Sequence, residues 1–170
     1  MIHLITGGQR SGKSLFAEEQ ALSQSDHPLY LATSRIWDEN HRERIEIHKK
    51  RRGNQWTTIE EEKYLSQHDF SGKLVLLDCI TLWLNNLFFD NGEDDKKSMF
   101  EASQELEKLF SQECDWIIVT NELGLGGHPE NKMAMRFNDL QGSINQYIAN
   151  KADRVTLIIS GIPLDIKNTK

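Results

Sequence analysis

The 170-residue sequence predicts an α/β fold: a doubly wound, mostly parallel sheet flanked by helices, of the P-loop NTPase (RecA-like) type. Three observations carry that expectation. Short apolar runs alternate with stretches of helical periodicity along the whole chain, with no internal repeat and no second composition zone, as in consecutive βαβ units of one domain over 1–170. Gly7-Gly8-Gln9-Arg10-Ser11-Gly12-Lys13-Ser14 satisfies the phosphate-loop pattern G-x-x-x-x-G-K-[ST], between a run suited to a strand and a run suited to a helix. Lys73-Leu74-Val75-Leu76-Leu77-Asp78 is a near-continuous apolar run ending in a carboxylate, as expected of a central parallel strand.

Ile2 to Thr6 is the first buried strand, and Ser14 to Leu22 has helical spacing. The turn between them needs glycine because side chains would block the approach of backbone N–H groups to phosphate oxygens and because it requires positive φ. Lys13 is placed to reach the β/γ-phosphates and the Ser14 hydroxyl to ligate Mg²⁺, while the helix N-terminus adds partial positive charge. Pro28 restarts the chain, and Leu29 to Thr33 reads as a second buried strand. Thr33, Ser34 and Arg35 then fall at a carboxyl end, where open parallel sheets collect ligands; an ordinary polar loop is the competing reading. Asp38 to Arg52 is a strongly charged helix with Asp38 as N-cap, and only Ile45 and Ile47 anchor it, as in a basic, mobile segment. Arg44, His48 and Arg52 share one face at i, i+4 and i+8, although a solvated helix with no role carries such charge equally well.

Gln55 to Glu60 has strand composition, and Glu61 to His68 is a short polar helix or loop. Asp78 is read as a Walker-B-type residue holding Mg²⁺ directly or through water opposite Ser14; its alternative is to cap the helix Cys79 to Phe89. The acidic stretch 90–97 is expected to be a flexible surface linker, followed by an amphipathic helix from Met99 to Cys114 and a buried strand from Asp115 to Thr120. That strand ends at Asn121-Glu122 and enters a glycine-rich loop reaching Pro129, again on the ligand side of the sheet. A helix from about Asn131 to Ala152 leads to a last strand, Arg154 to Ser160, and the tail from Gly161 to Lys167 is expected to add a short edge strand.

The formal net charge of −6 argues against a general nucleic-acid or membrane binder, while leaving room for local basic clusters that meet an anionic ligand. No stretch approaches membrane-spanning length and the N-terminus lacks signal-peptide character, so a cytoplasmic address is expected. Cys79 and Cys114 are too few for a disulfide framework or a cysteine-rich zinc site, and are expected to be reduced.

The ordered motifs of the chain resemble those of the bifunctional adenosylcobinamide kinase/adenosylcobinamide-phosphate guanylyltransferase family. They are Gly7-Gly8-x-Arg10-Ser11-Gly12-Lys13-Ser14, Tyr30-x-Ala32-Thr33-Ser34, Arg44-Ile45-x-x-His48-Lys49, Trp56-x-Thr58-x-Glu60 and Asp78-Cys79-Ile80-Thr81. Further along come Val119-Thr120-Asn121-Glu122-x-Gly124-x-Gly126, Pro129-Glu130-Asn131, Phe137-x-Asp139, Gly142-x-x-Asn145-Gln146 and Ala152-Asp153. The resemblance implies two reactions: phosphorylation of adenosylcobinamide by ATP or GTP, then transfer of GMP from GTP to the resulting phosphate with release of pyrophosphate. It implies a homotrimer, Mg²⁺, and a GMP-carrying histidine at the position of His48. It also implies guanine-nucleotide contacts from Thr33, Ser34 and Arg35, from Lys49, Lys50, Arg51 and Arg52, and from Glu60, whose carboxylate can accept from the ring N–H and exocyclic amine of guanine.

The chemistry suits those roles. A neutral imidazole is a competent nucleophile toward an α-phosphorus, and an unperturbed histidine titrates near about 6.5, so much of it is neutral at pH 7. Arg44, Lys49, Arg51 and Arg52 disfavour the imidazolium and can stabilise triphosphate and leaving pyrophosphate. Lys13, Arg10 and Mg²⁺ would neutralise charge on the transferring phosphoryl group. The chain departs from the family at Met135 and Asn138, where basic residues are common, at Gly127-His128, and at Asp78, where Glu is frequent. A plain small-molecule kinase and a non-catalytic nucleotide switch are the alternatives.

Overall fold

In the computed structural model the described residues are 1–36 and 53–169. The helix expected over Asp38 to Arg52 therefore lies outside the described residues, and with it His48, Lys49, Lys50, Arg51 and Arg52. The rest forms one seven-stranded sheet flanked by helices on both faces. Strands β1 (Ile2–Gly7), β2 (Leu29–Ala32), β3 (Thr57–Glu60), β4 (Leu74–Asp78), β5 (Asp115–Val119), β6 (Arg154–Ile159) and β7 (Ile162–Asn168) are arranged in the order β3-β2-β4-β5-β1-β6-β7. Every pairing is parallel except β6 with β7. The helices are α1 (Lys13–Gln24), α2 (Ile80–Asp90), α3 (Asp95–Phe110) and α4 (Lys132–Lys151).

The continuous apolar runs are explained by burial on both sides. Leu4, Leu77, Trp116 and Ile118 face a large core with Trp83, Leu84, Leu87 and Phe88 of α2, Leu106 of α3, and Ile144 and Ile148 of α4. Their alternating neighbours Ile5, Leu76, Ile117 and Val119 face a smaller core with Ala17 and Ala21 of α1, so the period-two pattern supplies two cores from the same strands. At roughly 2 kcal/mol for each large side chain, this burial is the main stabilising term.

The acidic stretch 90–97 differs from the expected linker. Asp90 ends α2 and Asp95 opens α3, so the connection is only residues 91–94. The carboxylate of Asp94 accepts from the Lys97 backbone N–H at 2.9 Å, and Asp95 sits in the first turn, where negative charge meets the positive end of the helix. The acidic residues that looked like solvated linker start a helix. The tail is also more regular than expected: β7 runs seven residues antiparallel to β6 through the turn Ser160-Gly161. Both turn residues have positive φ (51° and 83°), the mirror-image turn that matches the twist of a tight hairpin.

Candidate active site

The P-loop leaves β1 at Gly7 and enters α1 at Lys13. Gly7 has φ 152°, and a Cβ there would lie 2.5 Å from the carbonyl oxygen of Ile158 and 2.9 Å from the Ser11 hydroxyl oxygen; no other residue fits without displacing β6. Gly12 is the N-cap of α1 in a left-handed conformation, with no side-chain cap, and no acid occupies the first turn. The first N–H groups of α1 are thus left to an anion. The Ser11 backbone carbonyl accepts from Gly161 N–H at 2.8 Å, so the β6–β7 turn buttresses the loop from outside. The buried Ser11 hydroxyl has no hydrogen-bond partner among the described residues, as suits a loop built to receive phosphate oxygens. Gly8, Gln9 and Arg10 are exposed.

Lys13 is 7% exposed and donates to the Gly8 carbonyl at 2.6 Å. Burial lowers the pKa of its ammonium, opposed by the nearby Cys79 and Asp78. A buried ammonium bonded to its own loop stands ready to exchange a carbonyl for phosphate oxygens. Ser14, half-buried in the first turn of α1, follows directly.

Asp78 ends β4, two strands from β1 with β5 between them, or about 10 Å at the usual strand spacing. Cys79 is the N-cap of α2 and no side chain caps that helix, so the capping alternative for Asp78 is not realised. Instead its Oδ2 accepts from the Tyr30 hydroxyl at 2.8 Å. Tyr30 is 4% exposed and stacks edge-on against Trp56 at 5.8 Å, which fixes the phenol and through it the carboxylate. No signal in the residues themselves distinguished Tyr30 from a core aromatic. Cys79 is 7% exposed with its thiol pushed up to about 12 by burial, an inert packing residue.

The residues after β2 are engaged by their neighbours in the sheet and helices. Thr33 is 0% exposed; its hydroxyl donates to the Cys79 carbonyl at 2.8 Å and accepts from Cys79 N–H at 3.0 Å, and its carbonyl accepts from the Asn86 amide at 2.8 Å. A side chain so used ties the β2 and β4 ends together, with its hydroxyl engaged by Cys79. The guanidinium of Arg35 is bound bidentately by Asp90 at 2.7 and 2.9 Å and by Glu62 at 2.5 Å; these bonds raise its pKa above the usual value, and the Arg35 hydrogen bond lowers that of Asp90. A nucleotide would have to displace two carboxylates from Arg35. The Ser34 hydroxyl donates to the Arg35 carbonyl at 3.2 Å. Glu60 is exposed on β3, the outer edge strand, four strand spacings or about 19 Å from β1. The P-loop and Asp78 are thus gathered at the centre of the sheet, and Glu60 stands apart.

A polar group that residue-by-residue reading missed lies at the end of β5. The Thr120 hydroxyl donates to Asn145 at 2.7 Å and accepts from Gln141 at 2.8 Å, and the Asn145 amide donates to the Asn121 carbonyl at 3.0 Å. The stretches around Thr120 and Asn145 were recognisable only as separate motifs. The structure joins them.

At the other side of the glycine-rich loop, Arg136 is spoken for by Asp95 at 2.8 Å and by the Glu93 carbonyl. Among the described residues no group of three or more His, Cys, Asp or Glu side chains is gathered. No described helix is long and apolar enough to cross a membrane.

The chain is 39% identical over 182 residues to the bifunctional adenosylcobalamin biosynthesis protein CobU of Escherichia coli (strain K12), covering 98% of this chain and 100% of that protein. It is 38% identical over 182 residues to the protein of the same name from Salmonella typhimurium, with the same coverage. The CobP protein of Pseudomonas aeruginosa is 36% identical over 171 residues, 98% of each chain. The family model described as cobinamide kinase/cobinamide phosphate guanyltransferase matches residues 3–166, and the chain belongs to that family of kinases and nucleotidyltransferases.

Proposed function

We propose that this protein phosphorylates adenosylcobinamide with ATP or GTP and then transfers GMP from GTP to the new phosphate through His48, giving adenosylcobinamide-GDP and pyrophosphate. The observation that carries the reading is the pairing of a buttressed P-loop, whose Lys13 is buried but bonded, among the described residues, only to its own loop carbonyl, with a fixed Asp78 carboxylate on the same end of the sheet. In the first reaction the substrate hydroxyl attacks the γ-phosphorus and the nucleoside diphosphate departs. Lys13, Arg10 and the open N-terminus of α1 stabilise charge on the phosphoryl oxygens. In the second, a ring nitrogen of His48 attacks the α-phosphorus and pyrophosphate leaves. The corrinoid phosphate then attacks the same phosphorus and frees the imidazole.

Mg²⁺ fits the donors present. It takes hard oxygen ligands and is usually bound by one or two protein groups together with phosphates, and Ser14 and Asp78 are a hydroxyl and a carboxylate at the phosphate end. Tyr30 occupies one Asp78 oxygen and leaves the other for the cation or its water. When bound, the ion would neutralise charge on the β/γ-phosphates. The guanine contacts are carried by Ser34, Glu60 and the basic run Lys49 to Arg52, the enzyme acts as a homotrimer, and its address is the cytoplasm. Glu60 lies too far from β1 for one side chain to bridge, which supports a second nucleotide position toward β3.

Product analysis tests the proposal. Adenosylcobinamide incubated with GTP and Mg²⁺ should yield adenosylcobinamide-GDP, and His48→Ala should accumulate adenosylcobinamide phosphate instead. A plain kinase would stop at the phosphate in the unaltered protein as well.

A further inference from the structure

We infer that Asn121, just past the end of β5, is a catalytic residue of the phosphorylation step, its side-chain amide contacting the γ-phosphoryl group as it transfers. The inference rests on the kinase reading above. Beyond Val119 the chain keeps strand geometry: Thr120 N–H donates to the Ile5 carbonyl at 3.0 Å and Glu122 N–H to the Gly7 carbonyl at 2.9 Å. Side chains therefore continue to alternate. Thr120 turns to α4, where Gln141 and Asn145 hold it, so Asn121 falls on the opposite face, with Val119 and α1. Asp78 is on that face too, since Leu76 packs with α1 and Tyr30 of the same cluster bonds the carboxylate. Register then places Asn121 level with Gly7, in the strand between the P-loop and Asp78.

The backbone of Asn121 is held from both sides. Its N–H donates to the Thr81 hydroxyl at 2.9 Å and its carbonyl accepts from Asn145 at 3.0 Å. Thr81 is 9% exposed and Gln141 1%, so these supports are themselves packed. The Asn121 side-chain amide, by contrast, makes no hydrogen bond among the described residues, although it is only half-exposed. A residue whose main chain is fixed by two side chains while its own amide is left unused is preorganised for a ligand. In the reaction the substrate oxygen forms a bond to the γ-phosphorus, the bond from that phosphorus to the β–γ bridging oxygen breaks, the diphosphate takes the electron pair, and the hydroxyl proton passes to solvent. A side-chain amide N–H of Asn121 donates to an equatorial oxygen of the group in flight. In guanylyl transfer the reacting atom is the α-phosphorus, and Asn121 has no part in it.

Asn121→Ala should lower kcat for phosphorylation about 100-fold while changing the Kd of a non-hydrolysable GTP analogue by less than about threefold. Guanylyl transfer to supplied adenosylcobinamide phosphate should stay within about threefold of the unaltered protein. Asn121→Asp keeps the shape and replaces the donor by a charge, so it should be at least as impaired in phosphorylation, and it serves if the alanine variant folds poorly. Phosphorylation retained in both variants, or loss of nucleotide binding or of both reactions in parallel, overturns the inference. An unaltered protein that does not phosphorylate adenosylcobinamide would instead sink the kinase reading.

Discussion

The centre and the outer edge of the sheet use polar residues in opposite ways. Around β1, β5 and β4, among the described residues, Lys13 holds only its own loop, Asp78 offers one oxygen and the Asn121 side-chain amide is unused. Toward β2 and β3, Thr33 is consumed by Cys79 and Asn86, and Arg35 by Asp90 and Glu62. Polar residues at the carboxyl end of a parallel sheet are therefore not equivalent: some keep donors and acceptors open toward the ligand side, and others are already satisfied by their neighbours.

The largest effect should come from breaking the centre. Lys13→Ala removes the buried ammonium and should reduce phosphorylation on the order of 1000-fold, with the thermal midpoint unchanged or raised, because a desolvated charge is lost. Steady-state kinetics with a melting curve checks both halves. Next comes the core beneath the loop. His3 on β1 is 1% exposed, its Nε2 is 2.8 Å from the Thr156 hydroxyl oxygen, and that hydroxyl donates to Asp165 at 2.6 Å. Burial, then Arg154, pushes the His3 pKa down from 6.5 to about 4, against the pull of Asp165. The unfolded chain then binds a proton that the folded chain refuses, so stability is full above about pH 6.5 and falls by about 3 kcal/mol as pH drops to 4. Urea titrations across that range should show the loss in the unaltered protein and a flatter profile in His3→Gln.

The edge should respond in stability and not in binding. Thr33→Val removes a doubly bonded buried hydroxyl and should cost about 2 kcal/mol while leaving nucleotide affinity nearly unchanged. A fall in affinity without a fall in stability would instead mark Thr33 as a ligand contact. The smallest effect is expected for Tyr30→Phe, which frees Asp78 to rotate and should weaken Mn²⁺ binding to the nucleotide complex by about tenfold, measured by electron paramagnetic resonance.

Much of this was legible from residues. The alternation of apolar and helical runs, the P-loop and the carboxylate ending β4 each have a local physical signature, and each lies where expected. The edge was not, because whether Thr33 or Arg35 is spent depends on Asn86, Asp90 and Glu62, between 27 and 55 residues away. The acidic turn failed for a related reason: Asp94 and Asp95 are helix-start residues, and their charge disguised it. Asn121 was in plain sight within a motif, but only the bonds from Thr81 and Asn145 show what holds it.

The central claim is that the phosphates are fixed at the P-loop while the guanylyl group is carried on His48, and intact-mass measurement after incubation with GTP and Mg²⁺ tests it most directly. The account predicts an acid-labile adduct of one GMP per chain, present in the unaltered protein and absent in His48→Ala. A His48→Ala variant that still carries the adduct, or an unaltered protein that binds GTP and never acquires it, would contradict the account.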